Sequence, residues 1–138
     1  IIRLYFVHVK VFVLFFMFLY KICSMNDVEH QIQIAISQYL DLRGLCYWAV
    51  PNGGMRNITV ASKLKKEGVK AGIPDISLVY KGKYFGIEVK KPKTITPAGT
   101  LSYNQKIRIS EIEHSGGVVG IVYGVPDLIE LLHKWGIK

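Results

Sequence analysis

Cysteine is almost missing from this chain, with only Cys23 and Cys46 among 138 residues. Two thiols exclude a disulfide-stapled scaffold and any four-ligand zinc site built mainly on thiolates. Cys46 sits inside an apolar stretch and reads as a core residue rather than a nucleophile. Acids are also scarce, 10 against 18 lysines and arginines, for a net charge of +8. That imbalance points to a polyanionic partner. The four histidines, His8, His30, His114 and His133, form no metal-spaced pair and no His-Asn-His arrangement. No Gly-x-x-x-x-Gly-Lys loop followed by Ser or Thr occurs, which excludes P-loop nucleotide hydrolysis. Internal repeats and low-complexity tracts are absent too. What is there is apolar: 50% hydrophobic and 20% charged residues rule out a disordered or collagen-like chain. A length of 138 residues allows one ordinary domain, large enough to hold itself together by its core.

The composition mixes two unlike parts. Residues 1–24 contain five of the six phenylalanines, three cations (Arg3, Lys10, Lys21) and no acid. Removing those three cations leaves 15 basic and 10 acidic residues in 25–138, a net charge of +5. The uncharged run in the first part extends only from Val11 to Tyr20. A membrane-spanning helix needs ~20 apolar residues, which here means burying Arg3, His8 and Lys10. A signal peptide fits the length, yet the exit Leu19-Tyr20-Lys21-Ile22-Cys23-Ser24 has no small-x-small cleavage site. The favoured reading is translation of an open frame upstream of Met25, ahead of a membrane anchor and then a signal peptide. The domain is expected to occupy residues 25–138, with no membrane association of its own.

Within 25–138, Asn26 can cap a helix whose apolar residues Val28, Ile32, Ala35, Ile36, Tyr39 and Leu40 recur at helical spacing, ending near Gly44. Leu45 to Val50 reads as a buried strand stopped by Pro51-Asn52-Gly53-Gly54. Asn57 to Glu67 predicts a short basic helix, with Gly68 as its stop. Asp75–Tyr80 and Lys83–Lys90 flank Lys81-Gly82 and predict a hairpin. Ser102 caps a helix to about His114, Val118–Tyr123 is a second buried strand, and Val125-Pro126-Asp127 opens a last helix. The order α-β-α-β-β-α-β-α predicts an α/β fold, a mixed sheet with helices on both faces.

The hairpin carries the chemistry. A two-residue loop at Lys81-Gly82 sets Tyr80 against Lys83, and the same register sets Asp75 opposite Glu88, with ~5 Å between their Cβ atoms. Adjacent carboxylates repel unless a cation sits between them, which is what a divalent metal site requires. Period-two alternation puts Lys90 on the face of Glu88. One face of one hairpin therefore presents an acid pair plus a cation able to position a water and steady a phosphate. Each residue also has a plainer reading. Glu29 stands where a capping-box Glu belongs, and Ser102-x-x-Gln105 is itself a capping box. Glu88 and Lys90 could form a solvated strand face, and Asp75 could simply start a strand after Pro74.

The set resembles the PD-(D/E)XK nuclease superfamily, here as Pro74-Asp75 and Glu88-Val89-Lys90. The closer resemblance is to the VRR-NUC family, the virus-type replication-repair nucleases. It is carried by Glu29, by Pro51-Asn52-Gly53-Gly54-Met55-Arg56, by Gly72-Ile73-Pro74-Asp75-Ile76 and by Phe85-Gly86-Ile87-Glu88-Val89-Lys90. Leu101-Ser102-Tyr103-Asn104-Gln105 and Gly116-Gly117-Val118-Val119 complete it, so that it spans 25–138. The resemblance implies a restriction-endonuclease-like fold and an active nuclease. It also implies that Asp75, Glu88 and the Val89 carbonyl bind metal, Mg²⁺ or Mn²⁺, that Lys90 is catalytic, and that Glu29 and Gln105 support the site.

The expected activity is metal-dependent hydrolysis of DNA phosphodiesters, in phage or prophage replication or repair in bacterial cytoplasm. Arg56, Lys63, Lys65, Lys66 and Lys70 either track the phosphate backbone or form a solvated helix face. No motif for reading base sequence is present, which favours a structure-directed nuclease. A homodimer or a replication-repair partner is expected for so small a domain. The alternative from another class is a non-catalytic nucleic-acid-binding module on the same fold.

Overall fold

The computed structural model describes residues 28–52, 57–92, 94 and 99–138. Residues 1–24, Met25, Asn26, Gly53, Gly54, Met55 and Arg56 lie outside the described residues. Among the described residues eight elements follow in order: α1 (Val28–Leu42), β1 (Cys46–Ala49), α2 (Ile58–Lys66), β2 (Ile76–Tyr80), β3 (Lys83–Val89), α3 (Tyr103–His114), β4 (Val118–Val122) and α4 (Val125–Lys134). The strands form one mixed sheet in the order β1-β2-β3-β4. The first two pairings are antiparallel, while β3 and β4 run parallel. A parallel neighbour needs a crossover rather than a hairpin, and α3 supplies it.

Local chemistry sets the boundaries. Lys81 (φ 49°) and Gly82 (φ 78°) both occupy the left-handed region, as a tight two-residue hairpin turn requires. Tyr80 pairs with Lys83 and Ile76 with Ile87, the register that the loop length predicts. Asn57 caps α2, its side chain accepting from the Thr59 amide at 3.1 Å. Ser102 caps α3 with a complete capping box.

Alternation along β2 and β3 divides the sheet into two faces. Ile76, Leu78, Phe85, Ile87 and Val89 point to one face and join Ile36 and Leu40 of α1 and Leu128 and Leu132 of α4 in the core. Full burial of such a side chain contributes roughly 1.5–3 kcal/mol. The opposite face carries Asp75, Ser77, Tyr84, Gly86 and Glu88, and α3 packs against it. The protein is thus α/β, with a four-stranded mixed open sheet and helices on both sides.

Two strand expectations need correction. The strand at 46–49 is not buried: β1 is an edge strand, Trp48 is 49% exposed and Cys46 is exposed rather than part of the core. Among the described residues it has a single neighbour, β2, and only Tyr47 turns inward, its hydroxyl donating to the Ser37 carbonyl and Asp41 of α1. Likewise β4, at the other edge, is only partly buried, with Val122 its one buried residue and Ile121 37% exposed.

Candidate active site

The site forms where β2 and β3 leave the hairpin. Asp75 immediately precedes β2 and lies beside β3, its Oδ2 accepting from the Val89 amide at 2.9 Å. Its Oδ1 is 3.5 Å from Asn52 Nδ2, which also donates to the Ile73 carbonyl at 2.6 Å. Asn52 thereby ties the turn after β1 to the approach to Asp75. Gly86 explains how Ile73-Pro74-Asp75 can sit so close: a Cβ there would lie 2.8 Å from Pro74 Cγ. The missing side chain is the space the proline ring fills.

Glu88 lies on β3 between β2 and β4 and is fully buried. Its two oxygens have unlike surroundings. Oε1 accepts from Gln105 Nε2 and forms an ion pair with Lys90 Nζ at 2.8 Å. Oε2 is buried and has no hydrogen-bond partner among the described residues. Burial pushes the Glu88 carboxyl up to about 7 from an ordinary 4.5; the hydrogen bond from Lys90 pulls it down, and the charges of Asp75 and Glu29 push it up. Lys90 is itself buried, and its backbone amide donates to the Val122 carbonyl at 3.0 Å, extending the strand edge beyond Val89.

Gln105 does two things with one amide. Its Oε1 accepts from the Ser102 amide at 2.8 Å, closing the capping box, while its Nε2 reaches Glu88. The two partners together fix which end of the amide is which. Glu29 contacts backbone: its Oε1 accepts from the Lys91 amide at 3.0 Å, pinning α1 to the chain directly after Lys90. Gly99 closes against the same place, since a Cβ there would lie 3.0 Å from Glu29 Oε1 and 3.1 Å from Lys90 Cβ.

Glu29, Asp75, Glu88, Lys90 and Gln105 are therefore brought together, with Val89 contributing its amide to Asp75. The basic residues are placed elsewhere. Lys63, Lys65, Lys66 and Lys70 are exposed on or just beyond α2, and Lys63 lies 3.9 Å from Glu67. Arg56 lies outside the described residues. Sequence reasoning treated Asn52 as a turn residue and missed its bond to Ile73; only the long-range pairing of turn and strand reveals that.

An oxygen of a buried carboxylate with no donor is costly unless a proton or cation satisfies it. Glu88 stands opposite Asp75 in the register and feels its charge, and its Oε2 offers a hard divalent cation an oxygen still without a donor. Among the described residues no three His, Cys, Asp or Glu side chains gather into a ligand cluster. Two carboxylates suffice for Mg²⁺, which keeps several waters and takes further oxygens from substrate phosphate. Also among the described residues, no helix is long and apolar enough to cross a membrane.

No match was found among curated proteins or solved structures. A family model does match: the VRR-NUC domain, over residues 27–131. That span runs from α1 into α4 and contains each residue gathered around Glu88. Most of the chain is therefore accounted for, and this protein belongs to the VRR-NUC domain family of nucleases.

Proposed function

We propose that this protein is a divalent-metal-dependent DNA endonuclease of the PD-(D/E)XK type, structure-directed and serving phage or prophage replication or repair in the bacterial cytoplasm. The observation that carries this reading is the buried, unpartnered Oε2 of Glu88 beside Asp75, with Lys90 on the same face. Asp75, Glu88 and the Val89 carbonyl would hold Mg²⁺ or Mn²⁺. Such a cation supplies Lewis-acid stabilisation of the phosphoryl oxygens and makes water more acidic.

The chain's own residues do the rest. Lys90 is anchored by Glu88 and sits at the end of β3, where its ammonium orients a water for in-line attack on phosphorus and stabilises the charge that develops. Gln105 and Lys90 keep Glu88 Oε1 engaged, so that Oε2 would be the oxygen left to take a cation. Glu29 holds the Lys91 amide and with it the backbone that carries Lys90. Arg56, Lys63, Lys65, Lys66 and Lys70 give non-specific affinity for the phosphate backbone. The fold proper is assigned to residues 25–138, and a homodimer or a replication-repair partner would widen the DNA footprint.

The test is a cleavage panel of branched, flapped and linear DNAs with Mg²⁺, Mn²⁺ or EDTA. Metal-dependent cutting that is lost in Glu88→Gln supports the reading. Binding without cutting under every metal would assign the chain to the class of non-catalytic nucleic-acid-binding modules.

A further inference from the structure

Contacts from distant parts of the chain converge on Ile73-Pro74-Asp75. The Asp75 carbonyl accepts from the Val50 amide at 2.7 Å, and its carboxylate is held at Oδ2 by the Val89 amide at 2.9 Å. The Pro74 ring fills the space that Gly86 leaves. The remaining contact comes from a side chain. Asn52 Nδ2 donates to the Ile73 carbonyl at 2.6 Å and stands 3.5 Å from Asp75 Oδ1.

The turn after β1 does not need that side chain. Backbone closes it, the Asn52 amide donating to the Val50 carbonyl at 2.8 Å. An asparagine at a turn ordinarily bonds backbone close to itself in sequence. Here the side chain reaches residues 21 and 23 positions further on. Both partners are acceptors, so only the NH₂ end of the amide can face them, and its two hydrogens can serve one each. An oppositely turned amide would set oxygen against oxygen.

The two oxygens of Asp75 are therefore held unequally. Val89 gives Oδ2 a full hydrogen bond, whereas the Asn52 contact to Oδ1 lies at the outer limit of one. Oδ1 is drawn towards Asn52 and still remains the freer oxygen. The short bond to the Ile73 carbonyl meanwhile fixes the backbone just ahead of Asp75. A ligating carboxylate gains affinity when groups outside the ligand set orient it beforehand. Asn52 is itself exposed, so water can replace its bonds and their loss costs the fold little. Resting on the nuclease reading above, we infer that Asn52 is a positioning residue, which presets the Asp75 carboxylate for a divalent cation without touching that cation.

The experiment titrates the full chain with MnCl₂ by isothermal calorimetry, without DNA, for wild type, Asn52→Ala and Tyr47→Phe. Tyr47 is the control for a tie that only holds β1 in place. Its hydroxyl donates to the Ser37 carbonyl at 2.9 Å and to Asp41 at 2.8 Å, both on α1. Asn52→Ala is expected to weaken Mn²⁺ binding about tenfold, while the melting temperature in EDTA falls by about 5 °C or less. Tyr47→Phe is expected to melt at a similarly lowered temperature and to bind Mn²⁺ as the wild type does. In EDTA, hydrogen exchange at the Val89 amide should quicken about fivefold in Asn52→Ala relative to Leu78 and Phe85, because the carboxylate it donates to is held less firmly. Wild-type Mn²⁺ affinity in Asn52→Ala would overturn the inference, as would an equal loss in Tyr47→Phe. A wild-type chain that binds no Mn²⁺ would sink the nuclease reading instead. The positioning of Asp75 is then decided by Val89 exchange alone: quickened exchange supports it and unchanged exchange overturns it.

Discussion

Replacing Glu88 with Gln should change how the stability of this protein depends on pH. In the folded state burial pushes the Glu88 carboxyl up to about 7, against an ordinary 4.5 in the unfolded chain. Below about 4.5 the group is protonated in both states and contributes no pH dependence. Between there and about 7 the folded state holds the proton more tightly, so the folded protein binds more protons than the unfolded one. Stability therefore falls as pH rises through that window. The gap corresponds to roughly 3 kcal/mol in total, or on the order of 10 °C in melting temperature for a domain of this size. Glu88→Gln carries no titrating group and should lack that loss. The informative quantity is the difference between the two curves, because Lys90 loses its partner in the variant and shifts its absolute stability at every pH. Urea unfolding in EDTA between pH 4.5 and 8 measures it. Mg²⁺ favours the ionised carboxylate and should restore wild-type stability at pH 8, by about 2.7 kcal/mol at a hundredfold excess over Kd, with no such gain in the variant. Parallel curves for wild type and Glu88→Gln would refute the buried-charge reasoning.

Lys90→Ala leaves both carboxylates, so metal titration should still report binding while turnover on cleavable DNA falls by ~10² or more; unchanged turnover would remove Lys90 from the chemistry. Gly72→Ala introduces a side chain at φ +82° whose Cβ would lie 2.4 Å from the Asn104 carbonyl carbon and oxygen. Thermal melting should show a loss of at least ~2 kcal/mol, with Gln105 and hence Glu88 displaced. A chain shortened to residues 25–138 should keep the circular dichroism spectrum and any nuclease activity of the full chain; insolubility or inactivity would make residues 1–24 integral to the protein. Cys46, exposed on the edge strand, should react with iodoacetamide in the native state, as peptide mass mapping would reveal.

The hairpin was the most legible part of the fold. A two-residue loop leaves one register, and that register with alternation puts Asp75, Glu88 and Lys90 on one face without any knowledge of the helices. The exposure of β1 was not legible, because Leu45-Cys46-Tyr47-Trp48-Ala49-Val50 has the same composition whether it has one neighbour or two. The number of neighbours is set by tertiary assembly. Glu29 and Gln105 were ambiguous in sequence between capping and a role in the site. Gln105 caps the helix and also bonds Glu88, because an amide has a donor end and an acceptor end that can serve different partners. Glu29 meets the Lys91 amide, 62 residues away, which local pattern cannot show.

The two hydrogen bonds of the Gln105 amide, one accepted from Ser102 and one donated to Glu88, make the first turn of α3 and the buried acid a single mechanical unit. If that turn frays, Glu88 loses a donor; if Glu88 is drawn towards a cation, the helix cap is pulled with it. Loading the acid with a cation should therefore slow hydrogen exchange at the α3 N-terminus, because ordering one end of a shared side chain lowers the entropy left for the other to lose. The helix start becomes a gauge of the state of the site, one that can be read amide by amide without any substrate present.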